Sequence, residues 1–245
     1  MIMSSALYIF SFITLMLITN AARLALSGLW YLIFKSSSGG WGVYALIYFP
    51  GTLLHEISHF LFAAFLGVRT GNITLFPKTD HEKNRVQLGS VQIAKTDFVR
   101  SSLIGAAPFI TGTVLLIYLC RTMGFLTISS IADVLVIIRN YASIDYFWLK
   151  MYAILAISNT LFTSKEDRQH WPVFIVMTAI IVLLFYITGI TIPFAHQISA
   201  GLQSILMGST VAFGLSAFVN GVLFVIFKTA VGIVEWFTKT KVTYA

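Results

Sequence analysis

Residues 51–66 read Gly51-Thr52-Leu53-Leu54-His55-Glu56-Ile57-Ser58-His59-Phe60-Leu61-Phe62-Ala63-Ala64-Phe65-Leu66, an apolar run of helical length with two histidines and a glutamate inside it. Helical residues four apart share a face, so His55 and His59 can turn both imidazoles toward one metal ion. Glu56, beside the first histidine, is placed to act as a general base toward a water on that ion. Neutral imidazole nitrogen suits zinc, and a catalytic zinc site needs a third protein ligand and a water.

The rest of the chain makes that run a membrane span. Of 245 residues, 58% are hydrophobic and 10% charged, and the mean hydropathy is +0.87. A soluble domain carries about 25% charged residues, so this composition could not solvate a globular surface. A span needs about 20 mostly apolar residues. On that rule about six are expected, over residues 6–31, 43–66, 99–120, 147–163, 171–190 and 203–228. The fold class is therefore an all-α polytopic membrane protein forming a single membrane domain over residues 1–245. Each charged residue at mid-bilayer costs on the order of 2.5–3.5 kcal/mol on the mildest insertion scale. Two histidines and a glutamate in one span need compensation, which a metal supplies. Three polar residues satisfied by neighbouring helices are the plainer alternative.

The formal charge of +7 is not a nucleic-acid signal. The basic residues lie mostly between apolar runs, where they orient a membrane protein, and no basic stripe interleaved with aromatics occurs. Eleven lysines and arginines, from Arg69 to Lys241, fall in the 67–98 segment or just after it at Arg100, in the 164–170 loop and in the C-terminal region; Lys35, Arg121, Arg139 and Lys150 fall opposite. The first side is expected to be cytoplasmic, with both termini inside. No lysine or arginine precedes Arg23, so the N-terminal run reads as a retained span rather than a leader. Arg23 itself would sit within the bilayer, a candidate functional charge or a snorkelling one. The lone Cys120 permits no intrachain disulfide and reads as a small apolar helix residue.

Two segments are not spans. Residues 67–98 hold two strand-like stretches, Asn72 to Phe76 and Arg85 to Ile93, around the turn-rich Pro77-Lys78-Thr79-Asp80, which predicts a β-hairpin over about 70–95. The alternation slips at Gly89-Ser90, as at a bulge. Residues Ile128 to Asn140 suit a short surface helix. Spacing alone leaves the third ligand open between Glu166, Asp167 and His170, in a stretch that also reads as an ordinary charged loop.

This order of elements resembles the site-2 protease family of intramembrane metalloproteases. That family pairs an HExxH span with a later Asn-x-x-Pro-x-x-x-Leu-Asp-Gly motif, whose aspartate is the third zinc ligand. Asn159 and Asp167 stand eight apart, as in the motif, and Gly105-Ala106-Ala107-Pro108 resembles the family's Ala-Gly-Pro turn. The likeness covers about residues 43–170, a three-span core. Ser58 stands where the family often has glycine, Phe162 for the proline, Glu166 for the leucine and Arg168 for the glycine. The resemblance implies an intramembrane zinc metalloendopeptidase with Glu56 as base and His55, His59 and Asp167 as Zn2+ ligands. Such an enzyme would be expected to act on a membrane-anchored protein near the cytoplasmic face. Asn159 resembles the asparagine that contacts the substrate strand, an interhelical hydrogen bond being its other reading. Val91, in the strand nearest the site, is expected to help hold an unwound substrate by strand addition. The rival class is a non-proteolytic metal-binding scaffold or transporter. A transporter should carry further ligands along a path through the bilayer, and apart from Arg23 and Asn220 almost none are found.

Overall fold

A computed structural model describes residues 2–34, 43–75, 78–80, 85–87, 89–128, 130–161 and 195–241. It is mostly helical. Helix α1 covers Ile2–Phe34, α2 Phe49–Phe65, α3 Phe98–Thr122, α4 Ile131–Arg139, α5 Phe147–Thr160 and α6 Ala195–Thr238. Four short strands lie between α2 and α3: β1 Thr70–Thr74, β2 Lys78–Asp80, β3 Arg85–Gln87 and β4 Ser90–Ile93.

Three stretches, Ser4–Phe34, Phe98–Thr122 and Ala200–Thr238, are helices long and apolar enough to cross a membrane, with mean hydropathy of 1.7 to 2.1. They coincide with the first, third and sixth expected spans. The outer surface agrees with lipid contact: Phe65 is 89% exposed, Phe10 70% and Phe218 68%. A soluble monomer rarely leaves so much contiguous apolar surface in water. Polar side chains inside α1 bond to their own helix. Ser11 Oγ donates to the Tyr8 carbonyl at 2.9 Å and Thr19 Oγ1 to that of Leu15 at 2.8 Å, so neither hydroxyl is left without a partner in lipid. Arg23 donates through Nη2 to Asn20 Oδ1, three residues back, pairing the two polar residues that interrupt the first apolar run.

The second and fourth expected spans are shorter as helices, 17 and 14 residues in α2 and α5. Residues 43–47 are helical too, and the Tyr48 amide to Tyr44 and the Thr52 amide to Tyr48 carry the turn across at 3.0 Å each. Pro50 has no amide to continue the ladder there, which accounts for the interruption. The fifth expected span, 171–190, lies outside the described residues.

Helix α2 ends in a Schellman arrangement, in which a residue just past the helix adopts the left-handed conformation. Gly67 takes φ +68, its amide bonds the Ala64 carbonyl, and the Val68 amide bonds that of Ala63 at 2.8 Å. The chain turns there into β1, which pairs antiparallel with β4 (Ile73 opposite Val91, Thr74 opposite Ser90) with a bulge between Thr70 and Ile73. Strands β2 and β3 pair likewise, Lys78 opposite Gln87. The expected hairpin is present with three corrections. The first strand starts two residues early, at Thr70. Lys78 to Asp80, read as turn, form β2, so that their partners are Arg85 to Gln87. The expected second strand is divided into β3 and β4 around Gly89, where the alternation slips. The surface helix is α4, opened by a capping box in which the Ser130 amide donates to Asp133 Oδ2 at 2.8 Å. Asp97 caps α3; the Arg100 amide donates to its carboxylate at 3.0 Å and holds that carboxyl below the usual range.

The core sits where α1, α3, α5 and α6 meet, around Leu15, Leu116, Ile154, Phe213 and Cys120, all fully buried. Two glycines bring helices close enough to build the site. A Cβ at Gly51 of α2 would collide with the Ala156 carbonyl oxygen and come within 2.6 Å of Thr160 Oγ1, both on α5. A Cβ at Gly112 of α3 would come within 2.5 Å of Leu161 Cδ2. The obstacle at Gly51 is backbone and cannot swing aside. Gly51→Val should therefore lower stability by about 1–3 kcal/mol, the usual cost of overpacking. Thermal unfolding in detergent checks this, and a wild-type melting temperature would contradict the close α2–α5 approach.

Candidate metal centre

Thr52, His55, Glu56 and His59 recur at the three-and-four spacing of one helix face. All four are buried, each 5–6% exposed. That face of α2 is covered by α3 and α5. Each histidine meets one of those helices at its backbone. His55 Nδ1–H donates to the Thr160 carbonyl at 2.8 Å, and His59 Nδ1–H to the Ile104 carbonyl at 2.8 Å. A carbonyl only accepts, so each contact puts the ring proton on Nδ1 and leaves a lone pair on Nε2.

Both carbonyls are ones that helices leave open. Thr160 is the last residue of α5, and the final four carbonyls of a helix have no intrahelical partner. Ile104 lies four residues before Pro108, the proline inside α3. A backbone acceptor on the far nitrogen is the usual means by which a metal-ligating imidazole is oriented.

The two Nε2 atoms stand 3.3 Å apart, with the rings nearly perpendicular at 80° and their centroids separated by 4.9 Å. With both protons on Nδ1, two lone pairs confront each other, which is repulsive unless something positive lies between them. The residues fit zinc. Nitrogens bound at 2.0–2.1 Å around a tetrahedral ion are about 3.3 Å apart. Among the described residues, however, no group of three His, Cys, Asp or Glu side chains is gathered to hold an ion. The candidate third ligands Glu166, Asp167 and His170 lie outside the described residues. Along the chain, Asp167 follows Thr160, the residue that holds His55, by seven positions.

The neighbourhood of Glu56 is set by the hairpin. A Cβ on Gly89 would lie 2.8 Å from Glu56 Cγ and 2.8 Å from Oε1. The backbone leading into β4 therefore lies close against the glutamate side chain, and a Cβ at position 89 would force that side chain to move. Ser58, facing α3, bonds the Leu54 carbonyl and Thr111 Oγ1, each at 2.6 Å. The Thr52 hydroxyl has no hydrogen-bond partner among the described residues.

Asn159 is buried beside the site. Its amide nitrogen donates to Asn220 Oδ1 of α6 at 2.6 Å and to the Leu155 carbonyl at 2.9 Å. Asn220 in turn donates to Ser158 Oγ at 3.0 Å. The Asn159–Asn220 and Asn220–Ser158 bonds are interhelical and tie the end of α5 to α6. Val91 lies in β4, partly exposed, and its strand has β1 on one edge; among the described residues no strand occupies the other. The sequence reading missed the carbonyls of Ile104 and Thr160 and the roles of Pro108 and Gly89. A proline within an apolar span was the available signal for the first, because it always frees the carbonyl four residues back.

No family model, curated protein or solved structure matches the chain. The metal reading can be tested directly. His55→Ala and His59→Ala should each weaken zinc binding by more than the 10–100-fold that losing a group which merely orients a ligand typically costs. Equilibrium dialysis against a competing chelator measures this, and wild-type affinity in either variant would rule out a centre built on both imidazoles.

Proposed function

We propose that this chain is an intramembrane zinc metalloprotease of the site-2 type, hydrolysing peptide bonds in membrane-anchored proteins near the cytoplasmic face. The observation that carries the reading is the pair of buried imidazoles, each tied at Nδ1 to a main-chain carbonyl, with their Nε2 atoms 3.3 Å apart on the helix face that also holds Glu56. His55, His59 and, by the resemblance, Asp167 would hold the ion. When bound, zinc supplies a Lewis acid for the scissile carbonyl and acidifies a water to near neutrality.

The remaining chemistry belongs to the chain. The Glu56 carboxylate takes the proton that the attacking water loses and returns it to the nitrogen of the leaving amine, so the peptide C–N bond breaks with protons balanced. Burial keeps bulk water from competing for that proton. A transmembrane substrate must unwind before its carbonyl can be reached, and each freed amide in lipid costs several kcal/mol unless paired. The open edge of β4 offers such pairing, with Val91 in the strand and Gly89 leading it against Glu56. Asn159 would steady the end of α5, and its carbonyl oxygen is available to a substrate amide. In this reading six spans place both termini in the cytoplasm, consistent with the basic excess on that side.

Glu56→Gln should cut cleavage of a transmembrane reporter by at least about 10²-fold, the contribution of a positioned base, while zinc stays bound. Asp167→Ala, assayed alongside, should lose zinc as well. Wild-type cleavage by Glu56→Gln would refute the protease mechanism.

In an extended strand successive amides face opposite edges, so one of Val91→Pro and Gln92→Pro removes a donor from the open edge of β4. That variant should cleave the reporter slowly while keeping its zinc and its melting temperature. If both cleave at the wild-type rate, the hairpin does not hold substrate.

A further inference from the structure

We infer that Pro108 is a positioning residue for His59: lacking an amide hydrogen, it surrenders the Ile104 carbonyl to the imidazole and so fixes the tautomer that offers Nε2 to a metal. The inference rests on the metal site proposed above and extends it to a residue that touches neither metal nor substrate.

In an α-helix the amide of residue i donates to the carbonyl of residue i−4, and for position 108 that carbonyl is Ile104. Proline in a helix interior ordinarily destabilises, because it deletes this bond and crowds the preceding turn. Here the deletion falls on a carbonyl that is buried, Ile104 being 3% exposed, in surroundings with little water to replace the lost donor. The His59 Nδ1–H occupies the vacancy at 2.8 Å from a helix face 45 residues away in sequence. Each group solves the other's problem. The carbonyl gains a donor, and the imidazole gains an acceptor that a protonless nitrogen could not use.

The parallel with His55 strengthens the case. Its acceptor, Thr160, is free because α5 ends there. No helix end is available where α3 passes His59, since α3 runs unbroken from Phe98 to Thr122. Within an uninterrupted helix, an imino acid four residues on is what removes the competing backbone donor. An ordinary residue at 108 would restore an N–H aimed along the helix axis at the same oxygen. His59 would then share its acceptor, and its ring proton could move to Nε2, where it blocks a metal.

The simpler account is that Pro108 only kinks α3 to fit the bundle. Two variants at that position separate the accounts, because they carry the same methyl side chain and differ in a single backbone atom. Pro108→Ala restores the N–H. Replacing Pro108 by lactic acid, incorporated during translation, gives a backbone ester that has neither the ring nor an N–H. We expect Pro108→Ala to bind zinc about 10–100-fold more weakly than wild type, the usual cost of losing a group that orients a ligand, and the ester to keep wild-type affinity. Nitrogen-15 spectra of histidine-labelled protein, without zinc, should show His59 protonated at Nδ1 in wild type and ester but at both nitrogens in exchange in Pro108→Ala. Equal zinc affinity and the same tautomer in Pro108→Ala and wild type would overturn the inference. So would an ester that fails together with alanine, which would assign the effect to the ring. A wild type that binds no zinc would instead refute the metal centre, and the tautomer measurement would still decide the role of Pro108.

Discussion

The structure depends on how a polar helix face is satisfied where water is scarce. Helix α2 buries Thr52, His55, Glu56, Ser58 and His59 within a bundle whose outer surface is largely apolar. Leaving such groups unpaired in lipid-like surroundings costs several kcal/mol each. Neighbouring helices would normally answer with polar side chains. Here α3 and α5 answer the histidines with backbone, through carbonyls that a proline and a helix terminus have released. Backbone acceptors hold an imidazole more firmly than side chains do, since they carry no rotamer freedom to lose. The close approach of α2 to α5 at Gly51 is what lets the Thr160 carbonyl reach the ring.

The same constraint explains the asparagines. An amide within a span must spend its donors and acceptor, and the Asn159–Asn220–Ser158 network does so across α5 and α6. Such interhelical bonds average only about 0.6 kcal/mol in a membrane, too little to decide the fold. Their geometry matters more. Thr160 follows Asn159 directly, so fixing Asn159 against α6 also fixes the carbonyl that orients His55. Because α6 packs extensively along α1, the polar face of α2 is referenced to the two longest of the described helices.

Much of this was legible in sequence because it depends on short-range pattern. The long apolar runs became α1, α3 and α6, the His-Glu-x-x-His spacing put both imidazoles on one buried face, and the slip at Gly89 marked a real break between β3 and β4. What escaped was whatever required knowing which segments meet. His59 and Ile104 are 45 residues apart, and His55 and Thr160 are 105 apart. No local periodicity announces those contacts. The hairpin was misplaced where Lys78-Thr79-Asp80 looked like a turn by composition, whereas cross-strand pairing with Arg85 to Gln87 overrode that preference. Strand propensity is set more by partners than by residues. The resemblance that suggested Asp167 falls on residues whose placement is not described, so that ligand rests on motif spacing alone.

The hairpin and the glutamate are coupled by the absence of a side chain at one position. Any residue with a Cβ at 89 would press on the Glu56 carboxyl, so the backbone entering β4 and the base occupy adjoining space. Neighbouring strands lie about 4.8 Å apart. A peptide added along the open edge of β4 would therefore run one strand spacing from that backbone, with its bonds in register with the residues nearest Glu56. Register in such an addition is quantised, because a slip of one residue turns every side chain to the other face. A short edge of four residues, preceded by the glycine beside Glu56, would admit few registers. Selection of the bond to be cut would then reside in where β4 begins rather than in a deep side-chain pocket, and sequence preference would be weak. Under the proposed function, a substrate would have to supply a segment that can leave its helix and lie extended, a property of backbone propensity more than of side-chain recognition.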